Sequence, residues 1–277
     1  MEDGTLNAVI CCVGENRSDY FMKLQNLFLS IDKFGGEVNR FGKVVFFMED
    51  PKEEYKRKLH KMDVSIISST PINPRYPHNN KVRMLEMDLG YDYYVLLDHD
   101  TIVCKNFMNF LKKKEFRAKP VDWAGPSMEF WRKIFRRFNL ELPSIRYTTT
   151  SDAKKIIPYF NSGVLLVPRG YRKKLYDEWT YYIQELISFK EKLNNYIFFI
   201  DQIALTLALQ KANVQVNPLP IEMNFHIHIP VNSKLCPKKV DPYIIHYHNC
   251  IDEFGNLTSC TYPWVQKRIE EFNKLLT

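Results

Sequence analysis

The sequence contains neither a P-loop nor a Gly-x-Gly-x-x-Gly run, so no glycine-rich loop stands ready to cradle a phosphate. Its six cysteines form no CxxC pair and no zinc-finger spacing, which excludes the common cysteine metal sites. Apolar runs stay short of the roughly 20 residues that a spanning helix needs. No internal repeat or low-complexity linker interrupts the chain, and its composition is not that of a disordered protein. Cys11 and Cys12 sit inside one apolar run and Cys104 directly follows another, positions typical of free buried thiols. For Cys236, Cys250 and Cys260, in a looser C-terminal region, a disulfide stays open. Asn16-Arg17-Ser18 and Asn256-Leu257-Thr258 would be glycan acceptors only in a secreted chain. The acidic start, Met1-Glu2-Asp3-Gly4, does not read as a signal peptide, and the expected location is cytoplasmic.

With 277 residues, 45% of them hydrophobic and 26% charged, the chain can bury a large core. Its net charge is +7, the difference between 39 basic and 32 acidic residues. That balance favours anionic partners such as nucleotides, phospholipid headgroups or nucleic acid, without choosing among them. Residues 6–13, 43–48 and 64–68 read as strands. Between them lie two helices, the first with Ser18 as cap, apolar Phe21, Leu24, Leu27, Phe28 and Ile31 at helical period and Gly35-Gly36 as its stop, the second at 51–61. This alternation predicts an α/β fold with a doubly wound, mostly parallel central sheet flanked by helices. Residues 71–80 are expected to be a loop and 81–89 a helix. Further strands are expected at 121–125, 163–167 and 243–247, and further helices at 172–189, 202–210 and toward residue 276. The whole chain, 1–277, reads as one domain.

The stretch Tyr93-Tyr94-Val95-Leu96-Leu97 reads as a buried strand, and it ends on Asp98-His99-Asp100. If the chain stays extended there, Asp98 and Asp100 point to one side and His99 to the other. Two hard oxygen ligands where a strand leaves the sheet suit magnesium or manganese, and open α/β sheets bind ligands beyond their strands' carboxyl ends. By the same topology, Val13 and Gly14 after the first strand would lie under a nucleotide through backbone contacts. Residues 128–139 combine Phe130, Trp131, Ile134, Phe135 and Phe138 with four basic residues. Such a helix could lie on a membrane surface or pack its aromatics on the core. Residues 144–152, polar and rich in threonine, read as a mobile loop.

The segment from Lys81 to Thr101 resembles the donor-binding core of GT-A fold glycosyltransferases, especially family 8 enzymes of the glycogenin and lipopolysaccharide galactosyltransferase type. Phe160-Asn161-Ser162-Gly163 is similar to that family's Phe-Asn-small-Gly strand, Asp201-Gln202 to its Asp-Gln pair, and Ile244-Ile245-His246 to its last strand. The resemblance implies a metal set of Asp98, Asp100 and His246, and the imidazole favours manganese over magnesium. It implies a nucleotide-sugar donor, expected to be a UDP sugar, and a retaining reaction. The acceptor would be a sugar, a lipid-linked saccharide or a protein, with peripheral membrane contact through 128–139 and no nucleic-acid partner. Residues 1–103 would then be the nucleotide and metal half, and 104–277 the acceptor side together with the C-terminal metal-ligand strand.

Site roles follow from the same resemblance. Asp201 becomes the carboxylate nearest the anomeric carbon, Gln202 a contact to the donor sugar, and Asn161 a hydrogen-bonding partner of a sugar hydroxyl. Read without it, Asp201 is a helix cap and Asn161 a turn residue. Lys81 and Arg83 are candidates for the diphosphate. Two residues apart on a helix they cannot share a face, and Arg83 is the expected contact. His99 completes the set of donor candidates. The family usually continues past its histidine with a Gly and a Lys that touches the diphosphate, whereas here Tyr247-His248-Asn249 follows. His248, two along an extended strand from His246, could replace that phosphate contact. Two other readings remain: a haloacid dehalogenase-like phosphatase with Asp98 as nucleophile, and a non-catalytic carbohydrate- or nucleotide-binding domain. His246 separates the first from the transferase, because only the transferase needs it beside the aspartates.

Overall fold

The unbroken apolar runs at residues 8–13, 44–47, 93–97 and 164–167 all lie in one sheet, almost wholly buried, as expected of strands covered on both faces. The structure, a computed structural model, describes residues 6–229 and 240–277. In chain order its elements are β1 (Ala8–Gly14), α1 (Ser18–Phe34), β2 (Gly42–Phe47), α2 (Glu53–Lys61), β3 (Ser65–Ser68), β4 (Tyr93–Leu97) and β5 (Thr101–Val103). There follow β6 (Arg117–Pro120), α3 (Met128–Arg137), β7 (Tyr147–Thr148), β8 (Lys155–Ile156), β9 (Phe160–Pro168), α4 (Arg169–Ser188) and α5 (Ile200–Lys211). The chain closes with β10 (Asn217–Pro218), β11 (Phe225–His226), β12 (Ile244–His246) and α6 (Pro263–Asn273).

The large sheet has the order β10-β6-β9-β4-β1-β2-β3. Its half from β4 to β3 is parallel, whereas β9 runs against both β4 and β6. Residues of α1 and α2 cover one face and residues of α3, α4 and α5 the other, so the sheet is wound on both sides. A small sheet, β11-β12-β5, sits at the end of β4 and closes its own apolar cluster with α6.

Several local expectations give way to tertiary context. Ser18 opens α1 but is not its cap: Arg17 holds that position, and no side chain caps the end. Residues 81–89 are not an α-helix. A 3-10 helix, Pro77–Leu85, takes their place, started by a proline at its first turn. The strand expected at 121–125 lies upstream as β6, where Lys119 is fully buried because it pairs with Asp122 at 2.5 Å. Residues 144–152 belong to a hairpin of β7 and β8 rather than to an open loop, and Thr149 is buried in it. In α3, Trp131, Ile134 and Phe135 face the core while Arg132, Lys133, Arg136 and Arg137 face water, so its aromatic stripe is spent on packing. No helix among the described residues is long and apolar enough to cross a membrane.

Candidate active site

The apolar strand β4 ends where the Asp98 N–H donates to the Gly163 carbonyl of β9 (2.9 Å), the last rung of that pairing. Asp98-His99-Asp100 then forms a turn, closed by the Thr101 hydroxyl donating to the Asp98 carbonyl (2.7 Å). The two carboxylates therefore converge through a turn that lifts the chain into the small sheet, not through the alternation of an extended strand. His99 does leave them, stacking on Tyr20 with ring centroids 4.1 Å apart. In the small sheet β12 runs antiparallel to β5 with His246 opposite Thr101, which brings the imidazole to the aspartates. His246 Nε2 lies 3.1 Å from Asp100 Oδ1 and 3.8 Å from Asp98 Oδ2. One ligand atom from each of Asp98, Asp100 and His246 falls within 4.8 Å of the others, close enough to share one cation.

The orientation of the His246 ring is set by a chain of unambiguous donors. The Gly163 N–H donates to Asn161 Oδ1 (2.8 Å), which fixes that amide's oxygen. Asn224 Nδ2 donates to the same oxygen (2.9 Å), so Asn224 Oδ1 is left facing His246 Nδ1 at 3.0 Å. His246 must therefore carry a proton on Nδ1. In the neutral ring Nε2 then aims a lone pair at two carboxylates, an arrangement that calls for a cation between them. Gly163 makes room for this ring: a Cβ there would lie 2.5 Å from His246 Cε1 and 2.8 Å from Nδ1. Burial would raise the Asp100 carboxyl, but when His246 carries a second proton its charge and its Nε2–H bond to Asp100 pull that carboxyl well below the usual range.

Lys81 links this group to Asp201. Its ammonium sits 2.8 Å from Asp98 Oδ2, 2.9 Å from Ser162 Oγ and 3.2 Å from Asp201 Oδ2. Burial disfavours the charge on Lys81, but Asp98 and Asp201 outweigh it and raise its pKa. Asp201 lies in the first turn of α5 and does not cap the helix; its carboxylate instead accepts from Ser162 Oγ (2.5 Å). Arg83, the expected partner of the diphosphate, turns the other way. It binds the Thr70 carbonyl (2.9 Å) and the Tyr176 hydroxyl (3.0 Å), because in the 3-10 helix Lys81 takes the inward position. Asn161, too, has its oxygen engaged inside the protein.

His248 reaches the site as well, by a turn rather than along a strand. Its backbone is left-handed (φ 52°), and its ring stacks on His246 at 3.9 Å. Its Nε2 faces His226 Nδ1 at 3.3 Å. Burial, and then neighbouring Lys119 and imidazoles, push His226 well below the ordinary histidine range. His228 packs against His248, so four of the chain's seven histidines gather here. The signal for this was present in Asn224-Phe225-His226-Ile227-His228, where polar residues alternate with apolar ones in strand fashion. Sequence reading passed over Asn224, Ser162, Tyr20 and Lys23, whose importance depends on contacts far along the chain.

These residues surround a cavity of about 460 Å³ beyond the ends of β1 and β4. Val13, Lys81, Asp98, His99, Asp100, Asn161, Asp201, Gln202, His246 and His248 all line it, as do Phe198 and Phe199. Gly14 and Arg83 do not; Gly14 is packed against Phe47 and Val45. Cys250 and Cys260 are free thiols, and Cys236 lies outside the described residues.

The cavity lies where a parallel half-sheet meets its reversed strand, and known proteins share that plan. A crystal structure of the galactosyltransferase LgtC with donor and acceptor sugar analogues is similar over 97% of this chain and 96% of its own, at 16% identity and a TM-score of 0.60. The glycosyltransferase GlyE of Streptococcus pneumoniae TIGR4 matches 98% of this chain at 15% identity and a TM-score of 0.58, and the chain spans 62% of its length. Mouse xyloside xylosyltransferase 1 matches 88% of the chain and 99% of its own, at 14% identity and a TM-score of 0.55. No curated protein sequence matches the chain. The shared fold is that of GT-A glycosyltransferases resembling family 8, and His246 beside the aspartates sides with the transferase rather than the phosphatase. Residues 45–213, more than half of the chain, match the Rhodobacterales glycosyltransferase domain, and the protein belongs to that family of enzymes.

Proposed function

We propose that this glycosyltransferase moves a sugar from a nucleoside-diphosphate donor, a UDP sugar by the family resemblance, to a saccharide acceptor with retention at the anomeric carbon. The observation that carries the proposal is the tautomer of His246. Asn161 and Asn224 leave its Nε2 lone pair aimed at Asp100 and Asp98, a geometry that suits a divalent cation. Asp98, Asp100 and His246 would hold it, and the imidazole favours manganese over magnesium. When bound, such an ion supplies Lewis-acid stabilisation of a diphosphate leaving group.

The chain's own groups do the rest. Lys81 keeps Asp98 and Asp201 in one ion-paired cluster and offers positive charge beside the diphosphate. Asp201, fixed by Ser162 and Lys81, is the carboxylate that steadies an oxocarbenium-like transition state, with Gln202 next to it on the donor sugar. Val13 and Tyr20, on the β1 side of the cavity, would face the nucleoside, with residues 1–103 as the nucleotide and metal half and 104–277 carrying the acceptor side and the C-terminal metal-ligand strand. Buried free Cys11, Cys12 and Cys104 suit a reducing, cytoplasmic setting. Membrane contact through α3 would be mainly electrostatic, by its outward arginines, since Trp131 and Phe135 are buried.

The test is nucleoside-diphosphate release from a panel of nucleotide sugars with and without manganese, in the wild type and in Asp100→Ala. Turnover by the wild type with manganese and its loss in the variant is the expected result. Equal turnover in both would sink the proposal.

A further inference from the structure

We infer that His248 is a fourth ligand, so that the cation is held by two carboxylates and two imidazoles. The inference rests on the cation reading above. His248 Nδ1 stands 3.5 Å from Asp100 Oδ2, and His246 Nε2 stands 3.1 Å from Oδ1 of the same carboxylate. The two rings thus bracket Asp100 from its two oxygens, stacked with an interplanar angle of 19°.

Each ring also hands its far nitrogen to a buried polar partner. For His246 that partner is Asn224 at 3.0 Å; for His248 it is His226 at 3.3 Å, itself 4% exposed. A ligating imidazole oriented through its second nitrogen is the usual arrangement at metal centres. One nitrogen from each of His226, His246 and His248 also falls within 4.8 Å of the others. His246, with Nδ1 committed to Asn224, has a single nitrogen to give. A three-histidine site and the aspartate site therefore cannot both be filled, and one position that uses both carboxylates serves a dication better.

The backbone argues the same way. At φ 52° His248 holds a conformation that glycine adopts freely and other residues only under strain. Lys23 Nζ pins it by donating to the His248 carbonyl (2.8 Å). That bond helps to keep the ring turned onto Asp100. Two imidazoles shift preference from magnesium toward manganese, cobalt and zinc.

The experiment uses the metal-stripped full chain titrated with Mn2+, read by the free-ion electron paramagnetic signal and by pulsed measurement of coordinated nitrogens. The wild type should show two histidine nitrogens. His248→Gly should show one, bind Mn2+ on the order of tenfold more weakly or worse, and lose less affinity for Mg2+. Its melting temperature should hold or rise, since glycine relieves the left-handed backbone. One nitrogen in the wild type, with unchanged affinity in His248→Gly, overturns the fourth ligand and leaves the three-residue site standing. A wild type that binds no Mn2+ overturns the cation reading and this inference together.

Discussion

The two sheets handle burial in opposite ways. In the large sheet β4 lies between β1 and β9 and buries Tyr93 to Leu97 as an apolar slab, with no polar side chain but the tyrosines. In the small sheet the buried residues include Thr101, His226 and His246, beside buried Asn224, and each leans on a specific partner. Apolar burial is non-directional, so the large sheet can supply stability without dictating where any one atom lies. Buried polar groups tolerate only a few arrangements, so the small sheet supplies position. Stability and chemistry should therefore separate on mutation, and the separation can be tested.

The largest effect is expected in the large sheet. Leu96→Ala truncates a fully buried side chain in the core that the large sheet shares with α3, α4 and α5. It should cost about 2–5 kcal/mol of unfolding free energy, while the folded fraction keeps its kcat/KM. A matching fall in kcat/KM would break the division of labour.

Next comes a residue where the two sheets meet. Gly163→Ala puts a methyl group 2.5 Å from His246 Cε1, and that ring is flanked by Asn224 and Asp100 and cannot retreat. Displacing a reactive group by about 1 Å costs on the order of 100-fold in rate, with a smaller change in denaturant midpoint. Asn224→Ala removes the acceptor for His246 Nδ1 and frees the ring to turn. Manganese affinity should fall about tenfold, as measured by titration; no change would show that β12 alone positions the histidine.

The same contrast explains what could be read from the sequence. The order from β1 to β4 was legible because apolar periodicity and glycine stops are local signals. The Asp-His-Asp turn, the Asn-Ser-Gly strand and the last histidine were visible as motifs. Their geometry was not: the aspartates meet through a turn, and His248 arrives on a left-handed residue. Lys81 rather than Arg83 lines the cavity because Pro77 starts a 3-10 helix where the sequence suggests an α-helix. Buried Lys119 in β6 could not be foreseen, since its burial depends on Asp122. Asn224 stayed hidden for the same reason: its role consists of partners 63 and 22 residues away.

The smallest predicted effect tests the small sheet's polar burial by pH, in the metal-free protein. Burial first, then nearby Lys119 and imidazoles, hold His226 well below its ordinary pKa near 6.5. A histidine depressed on folding binds its proton more readily in the unfolded chain. Unfolding is therefore favoured as pH falls below 6.5, and stability returns as pH rises through that value. For His226, 4% exposed, the loss approaches but does not exceed about 1.4 kcal/mol per pH unit. His248 is pushed down to about 2 by burial and by His246, yet its side chain is 37% exposed, so solvent screens its share. Asp241, drawn below 3.8 by its hydrogen bond from Arg268, keeps its contribution until pH falls through that lowered value, well outside the window. A fall in melting temperature between pH 7 and 5, flattened in His226→Gln, is the expected outcome. A flat wild-type profile would mean that the histidines are hydrated, and that the small sheet owes its geometry to something other than buried neutral imidazoles.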